Sequence, residues 1–224
     1  MDTSSPERST TERARTQVRT VRLAAIAPQA WRNGGGRTRE LLAWPSADAW
    51  SLRISVAEIE RDGPFSAYPG VRRWFAVVDG AGVALSFQAG ERMCRRGDAP
   101  LSFDGGDAPG CRLLDGPTRD LNLMARRGCA ALHPVRRGEA WKDSCMLRGL
   151  YAAVAGEWQA GADAQAVDAG TLLWVDGTGY DDLGEPAAVH VAAWRFVPTG
   201  SPAGAGNTVA AWWLGYTPEP GSTR

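Results

Sequence analysis

Trp50-Ser51-Leu52-Arg53-Ile54-Ser55-Val56 is the stretch that decides the fold class. Apolar and polar residues alternate along it, so Trp50, Leu52, Ile54 and Val56 share one face and Ser51, Arg53 and Ser55 the other. A period of two marks a half-buried strand, because successive side chains of an extended backbone point to opposite sides. Just downstream, Arg73–Val78 and Val83–Phe87 are apolar runs joined by Asp79-Gly80-Ala81-Gly82, which predicts a hairpin. Further short strands are predicted at Val21–Leu23, Leu101–Phe103, Cys111–Leu114, Leu121–Met124, Leu147–Val154, Thr171–Val175, Val189–Val197 and Thr208–Leu214. Turn signals such as Asp62-Gly63-Pro64 and Pro69-Gly70, and Gly/Pro-rich loops over 176–187 and 198–207, separate them. No segment has the period or length of a long helix, so the chain reads as all-β.

The totals agree. The chain has 224 residues, with 27 Gly and 14 Pro, a composition that favours many short strands and tight turns. Lys+Arg and Asp+Glu balance at 25 each, so there is no basic footprint for nucleic acid. Cys94, Cys111, Cys129 and Cys145 form no CxxC pair, which argues against a zinc knuckle or a redox dithiol. Residues 1–19 are polar and read as a disordered extension without the apolar core of a signal peptide. No apolar run approaches the roughly 18 residues needed to span a bilayer. A cytoplasmic protein with reduced thiols, bound neither to membrane nor to nucleic acid, is the expectation.

An internal echo lays Arg73–Gly80 over Gly149–Gly156, an offset of 76 residues, each with an aromatic, small apolar residues and a turn glycine. Either this is the sameness of strand–turn units in an Ala-rich chain, or it marks two related barrels side by side.

Four segments carry a family resemblance: WRNGGGRTRE (31–40), WSLRISVA (50–57), DGPFSAYPGVRR (62–73) and GPTRDLNLMARRG (116–128). In this order and spacing they resemble the HutD/Ves family, with FDGGDAP (103–109) standing one residue longer than the family's corresponding stretch. The resemblance implies an all-β, cupin-like double-stranded β-barrel, a jelly roll in bicupin form with two barrels in one compact unit over 20–217. The main motifs would lie in 31–128 and the second barrel roughly in 129–217. It further implies a link to bacterial histidine utilisation, through binding of a pathway metabolite such as urocanate and moderation of catabolism.

The residues narrow the chemistry. Only His133 and His190 are present, far apart and not in an HxH pair, so a three-His metal site is excluded by count, and no metal or cofactor is expected. Gly34-Gly35-Gly36 lacks the lysine and the register of a phosphate loop and reads instead as a tight turn that lets Asn33, Thr38 and Glu40 converge on the barrel mouth. Glu40 is then either a pocket acid or the counter-ion of Arg37 or Arg39. Arg53, between Ser51 and Ser55, either faces solvent or enters the cavity, where a guanidinium suits a carboxylate. Ser66, Arg73, Asp120 and Asn122 are candidates to complete a polar ring; Asp120, Asn122 and Met124 share one strand face, although Asp120 could equally cap a turn. Trp31, Trp50 and Trp74 are expected to plug the barrel, and Trp212-Trp213 to cover an edge strand or form a dimer surface.

Three readings result. The first is a regulatory binding protein for a small carboxylate, with a homodimer as its candidate assembly. The second is a metal-independent isomerase or hydrolase with Glu40, Asp62 or Asp120 as proton carriers. The third is an interaction module working through the Trp-rich C-terminal strand.

Overall fold

The computed structural model describes residues 18–176, 192–199 and 209–219. Along the chain run β1 (Arg19–Arg22), a 3-10 turn (Leu23–Ala25), β2 (Gln29–Ala30), β3 (Gly36–Trp44), β4 (Leu52–Ile59) and β5 (Gly63–Pro64). Next come β6 (Arg72–Asp79), β7 (Val83–Phe87), β8 (Gly90–Cys94), β9 (Leu101–Asp104), β10 (Gly110–Leu113) and β11 (Thr118–Ala125). The remainder holds β12 (Cys129–Pro134), β13 (Leu147–Ala152), β14 (Gly156–Ala160), β15 (Asp163–Val167), β16 (Thr171–Asp176), β17 (Trp194–Pro198) and β18 (Ala211–Thr217). The all-β expectation holds; among the described residues there is no α-helix.

Four sheets form: β2-β3-β4-β11-β6-β9, β5-β10-β7-β8, β1-β16-β13-β18-β12 and β15-β14-β17. The two larger ones pack back to back. Leu52, Ile54, Val56, Leu121 and Leu123 on one meet Tyr151, Leu172, Trp212, Leu214 and Tyr216 on the other in a single core. Each large sheet also has a small partner on its outer face. Phe75 and Val77 pack against Val83 and Leu85 in the first half, and Leu150 and Trp213 against Trp158 and Trp194 in the second. Strands buried on both faces explain why Leu147-Arg148-Gly149-Leu150-Tyr151-Ala152 is buried throughout. Within each half the two sheets are hydrogen-bonded separately, so the architecture is cupin-like but the expected barrels are not closed.

The halves repeat one another. In the first, β6 pairs with β9 and β11 while β7 pairs with β8 and β10; in the second, β13 pairs with β16 and β18 while β14 pairs with β15 and β17. The halves thus share one strand plan, but the internal echo at an offset of 76 does not follow it. Arg73, Phe75 and Val77 face the small sheet of their half, as do Arg148, Leu150 and Ala152 of theirs. An even offset would put each residue on the wrong face, since a slip of one inverts a strand. Matching faces and strand ends superposes Arg73 on Arg148, 75 residues apart.

Other expectations are corrected as well. Gly36–Trp44, absent from the predicted strands, is a nine-residue strand whose polar residues masked its period. Val189–Val197 begins only at Trp194 among described residues, and Thr208, like residues 1–17, lies outside them. Trp50 precedes its strand and packs with Val71 and Met124, not with Leu52. Trp74 packs against the central core between the two halves. Trp212 and Trp213 cover no edge and offer no dimer surface: β18 lies between β12 and β13, and both rings are buried, on opposite faces.

Candidate functional site

A cavity of about 660 Å³ opens between the six- and four-stranded sheets of the first half. Its floor is the sheet face built by alternation, with Arg53 and Ser55 from β4, Asp120, Asn122 and Met124 from β11, and Arg73 from β6. Of the eight residues singled out in the sequence, Asn33, Thr38, Arg53, Ser66, Arg73, Asp120 and Asn122 all line it. Glu40 does not. Glu40 pairs opposite Ser55, and its Oε2 stands 2.7 Å from Arg53 Nε. It is thus the counter-ion of Arg53 rather than of Arg37 or Arg39, both of which are held by Glu58.

The mouth is shaped by the glycine turn. Gly34 adopts φ +68, and a Cβ on Gly36 would lie 2.2 Å from the Glu58 carbonyl oxygen, so neither position accepts another residue without strain. The turn is closed by the Trp31 N–H donating to the Gly36 carbonyl (2.9 Å) and by Gly35 N–H donating to Asn33 Oδ1 (3.0 Å). Trp31 Nε1 donates to Thr38 Oγ1 at 2.8 Å, which fixes the indole against the cavity rim.

Arg73 is the most deeply set cation of the site, 6% exposed. Its Nη2 donates to Asn122 Oδ1 at 2.8 Å, and Asn122 Nδ2 in turn donates to Asp120 Oδ2. Phe65 and Phe103 stand 5.0 and 5.2 Å from its guanidinium carbon and Tyr68 at 6.0 Å, supplying ring faces that suit a desolvated cation. Burial lowers the Arg73 pKa, opposed by Asp120. Asp120 is pushed the other way: burial raises it to about 8 against the pull of Arg73 and Asn122, and its Oδ1 is buried without a hydrogen-bond partner. Across the site Cys94 and Cys111 are held as thiols, raised to about 11 and about 12 by burial first and by nearby carboxylates second. All four cysteines are free.

At neutral pH the cavity therefore presents Arg73 with a largely neutral Asp120, and Arg53 with its charge matched by Glu40. With Arg32 also on the lining, that leaves an excess of positive charge beside hydroxyl, amide and ring groups. Such a set suits an organic anion and repels a metal dication, and among the described residues no group of three or more His, Cys, Asp or Glu stands together. His133 is exposed on edge strand β12, and His190 lies outside the described residues. Asp62, a candidate proton carrier, does not line the cavity; its Oδ1 accepts from Leu113 N–H at 2.8 Å and ties the β5–β10 corner. Phe65 and Tyr68 are not among the sequence candidates, which from DGPFSAYPG include only Ser66; the signal was two aromatics inside a turn segment ahead of an arginine.

These features define a duplicated, cupin-like β protein with an arginine-floored cavity in one half. Of the curated relatives, Protein Ves of Citrobacter koseri is 33% identical over 151 residues, covering 66% of this chain and 78% of that protein. An uncharacterised 21.2 kDa protein in the hutC 3′ region of Pseudomonas putida is 31% identical over 110 residues, 48% and 58% of the two chains. The HutD family model matches residues 23–189, and the chain belongs to that family. Among solved structures, HutD of Pseudomonas fluorescens SBW25 superposes with a TM-score of 0.72 at 22% identity over 90% of this chain and 99% of its own. Oxalate decarboxylase of Bacillus subtilis gives 0.54 at 9% identity over 89% and 77%. At these identities the structural likenesses establish the cupin fold alone. Family membership associates the chain with histidine utilisation. No helix among the described residues is long and apolar enough to cross a membrane.

Proposed function

We propose that the cavity binds a small organic carboxylate and that the chain serves histidine catabolism as a regulatory binding protein, urocanate or a related pathway acid being the ligand. The observation that carries this reading is buried Arg73, whose guanidinium bonds only a neutral amide among the hydrogen bonds of the site and lies within an aromatic surround. A hydrogen bond to a charged group contributes about 1.5–3 kcal/mol. Two from Arg73, less the cost of ordering the ligand, bring a stacked acid to roughly micromolar affinity. Arg53 contributes less, because Glu40 Oε2 at 2.7 Å already balances its charge. Calorimetric titration with urocanate, histidine and formyl- or formiminoglutamate tests the reading. Saturable binding of one acid that Arg73→Gln weakens about 30-fold supports it; no heat from any of them at millimolar concentration sinks it.

A second reading has one observation in its favour. Asp120, raised to about 8 and with an unpartnered buried oxygen in the cavity, is suited to carrying a proton near neutral pH. On this reading the chain is a metal-independent isomerase or hydrolase of a similar acid. Turnover that Asp120→Asn abolishes, while binding survives, distinguishes it from the first.

A further inference from the structure

A second cavity, about 430 Å³, lies where the two halves meet and shares no residue with the first. The first half contributes Arg39 from β3, Glu58 from β4, Asp79 from β6, Arg96 from the turn after β8, and Arg119 from β11. The second half supplies Tyr151 from β13 and the backbone around Gly170, and the 3-10 turn at Leu23 completes the wall.

The charges are placed by register. Arg37, Glu58 and Arg119 stand directly opposite one another across β3, β4 and β11, and Arg39 lies two residues along on the same face. Cross-strand neighbours on one face interact, so Glu58 is claimed from several sides. Arg37 Nε donates to its Oε2 at 2.5 Å and Arg39 Nη1 to its Oε1. Burial alone would raise the Glu58 pKa, but those two hydrogen bonds outweigh it and hold the carboxyl below its usual value. With both oxygens occupied, Glu58 has little left for Arg119, whose Nη2 is 3.7 Å away. Arg119 Nε is buried without a hydrogen-bond partner. Arg96 Nη1 reaches Asp79 only at 4.0 Å, and the Asp79 carboxyl is mostly exposed. Tyr151 is raised to about 12, by burial first, and so remains a hydroxyl donor at any ordinary pH.

The geometry points to a second anion site between the halves, in which Arg119 and Arg96, backed by Arg39, hold the phosphate group of a small molecule against Tyr151. Guanidiniums arriving from different elements suit a tetrahedral, multiply charged oxyanion better than a planar carboxylate, which one arginine can satisfy bidentately. The volume exceeds that of bare phosphate and leaves room for a short organic tail. An occupant would touch both halves, and would therefore stabilise their packing by binding only the folded form.

Inorganic phosphate is the probe, with potassium chloride at matched ionic strength as control and glycerol phosphate as the esterified arm. At tenfold its dissociation constant, phosphate should raise the melting temperature by about 3–5 °C. Arg119→Gln should weaken phosphate binding at least tenfold, and Arg96→Gln, exposed enough to leave folding intact, should do so several-fold. Arg73→Gln should leave phosphate affinity unchanged. Tighter binding of glycerol phosphate identifies a phosphorylated metabolite and equal binding a free phosphate; both support the site. The inference is overturned if chloride gives the same shift, if no shift occurs, if both Arg119→Gln and Arg96→Gln bind as well as the parent, or if Arg73→Gln removes the binding.

Discussion

Two arginines at equivalent places in the duplicated fold meet opposite fates. Arg73 and Arg148 each stand second in an inner strand of a large sheet, each faces its small sheet, and each is buried. Around Arg73 the equivalent of Trp213 is Asn122, leaving space for a cavity. Around Arg148 that space is filled: Trp213 stacks on Trp141 at 5.3 Å and 9°, and Trp141 and Trp194 stand 4.8 and 4.6 Å from the guanidinium carbon. Its Nη1 donates to the Ala192 carbonyl at 2.9 Å and its Nη2 to the Trp141 carbonyl at 3.2 Å. Burial lowers its pKa to about 10, opposed by Asp143 and Cys145. One arginine is thus set beside open volume and the other is consumed by packing. The lesson is that duplication preserves the strand position of a charge, while one neighbouring side chain decides whether that charge is available to a ligand.

The comparison can be broken most forcefully on the packed side. Arg148→Ala should cost about 3–5 kcal/mol of stability in urea unfolding, since it empties a caged volume and strands two carbonyls. It should leave carboxylate binding intact at temperatures where the protein stays folded. Arg73→Gln should show the reverse, losing about 2 kcal/mol of ligand affinity, some 30-fold by calorimetry, with a smaller loss of stability. If both variants behave alike, the distinction between open and packed halves is wrong.

Asp120→Asn sharpens the difference through pH. Asp120 is raised from its usual value to about 8, so between pH 4 and 8 the folded chain holds a proton that the unfolded chain releases. Its contribution to stability is full below pH 4 and is lost as pH rises through 8. Arg73, Asn122, Cys94 and Cys111 surround it, and neither thiol ionises in this range. As Asp120 ionises it also competes with an incoming carboxylate for Arg73, so affinity should fall about tenfold from pH 7 to 9. In Asp120→Asn both slopes should flatten, as read by melting temperature and titration. The smallest effect is expected at Arg53: with Glu40 already bound, Arg53→Gln should weaken the ligand only about three- to fivefold, under 1 kcal/mol.

Alternation made much of this legible. The strand faces of Arg53, Ser55, Asp120 and Asn122 follow from a period of two, and those residues do share a cavity floor. What alternation could not decide was whether that face met solvent or a second sheet, because that depends on strands pairing far apart in sequence. The partner of Glu40 was out of reach for a similar reason: which of several arginines a carboxylate meets depends on the neighbouring strand, and here it is Arg53 of β4. Trp212 and Trp213 were misread for a related reason: adjacent bulky residues look like an exposed patch until both faces of their strand are known to be covered. The echo at an offset of 76 missed the shared strand plan by one residue, because only the partner strands fix the register.

Strand β1 carries a consequence for how this chain can be assembled. Its partner is not in the half that follows it but β16, with Arg19 opposite Trp174, the guanidinium 4.7 Å from the indole and 3.6 Å from Asp176. Residues 19–22 must wait for about 150 more to be synthesised before they find their place, and such distant closure slows folding. A cut in the connection between β11 and β12 would leave this strap on the wrong fragment, with β16 as a bare sheet edge. The two halves are copies in plan but are tied as one piece.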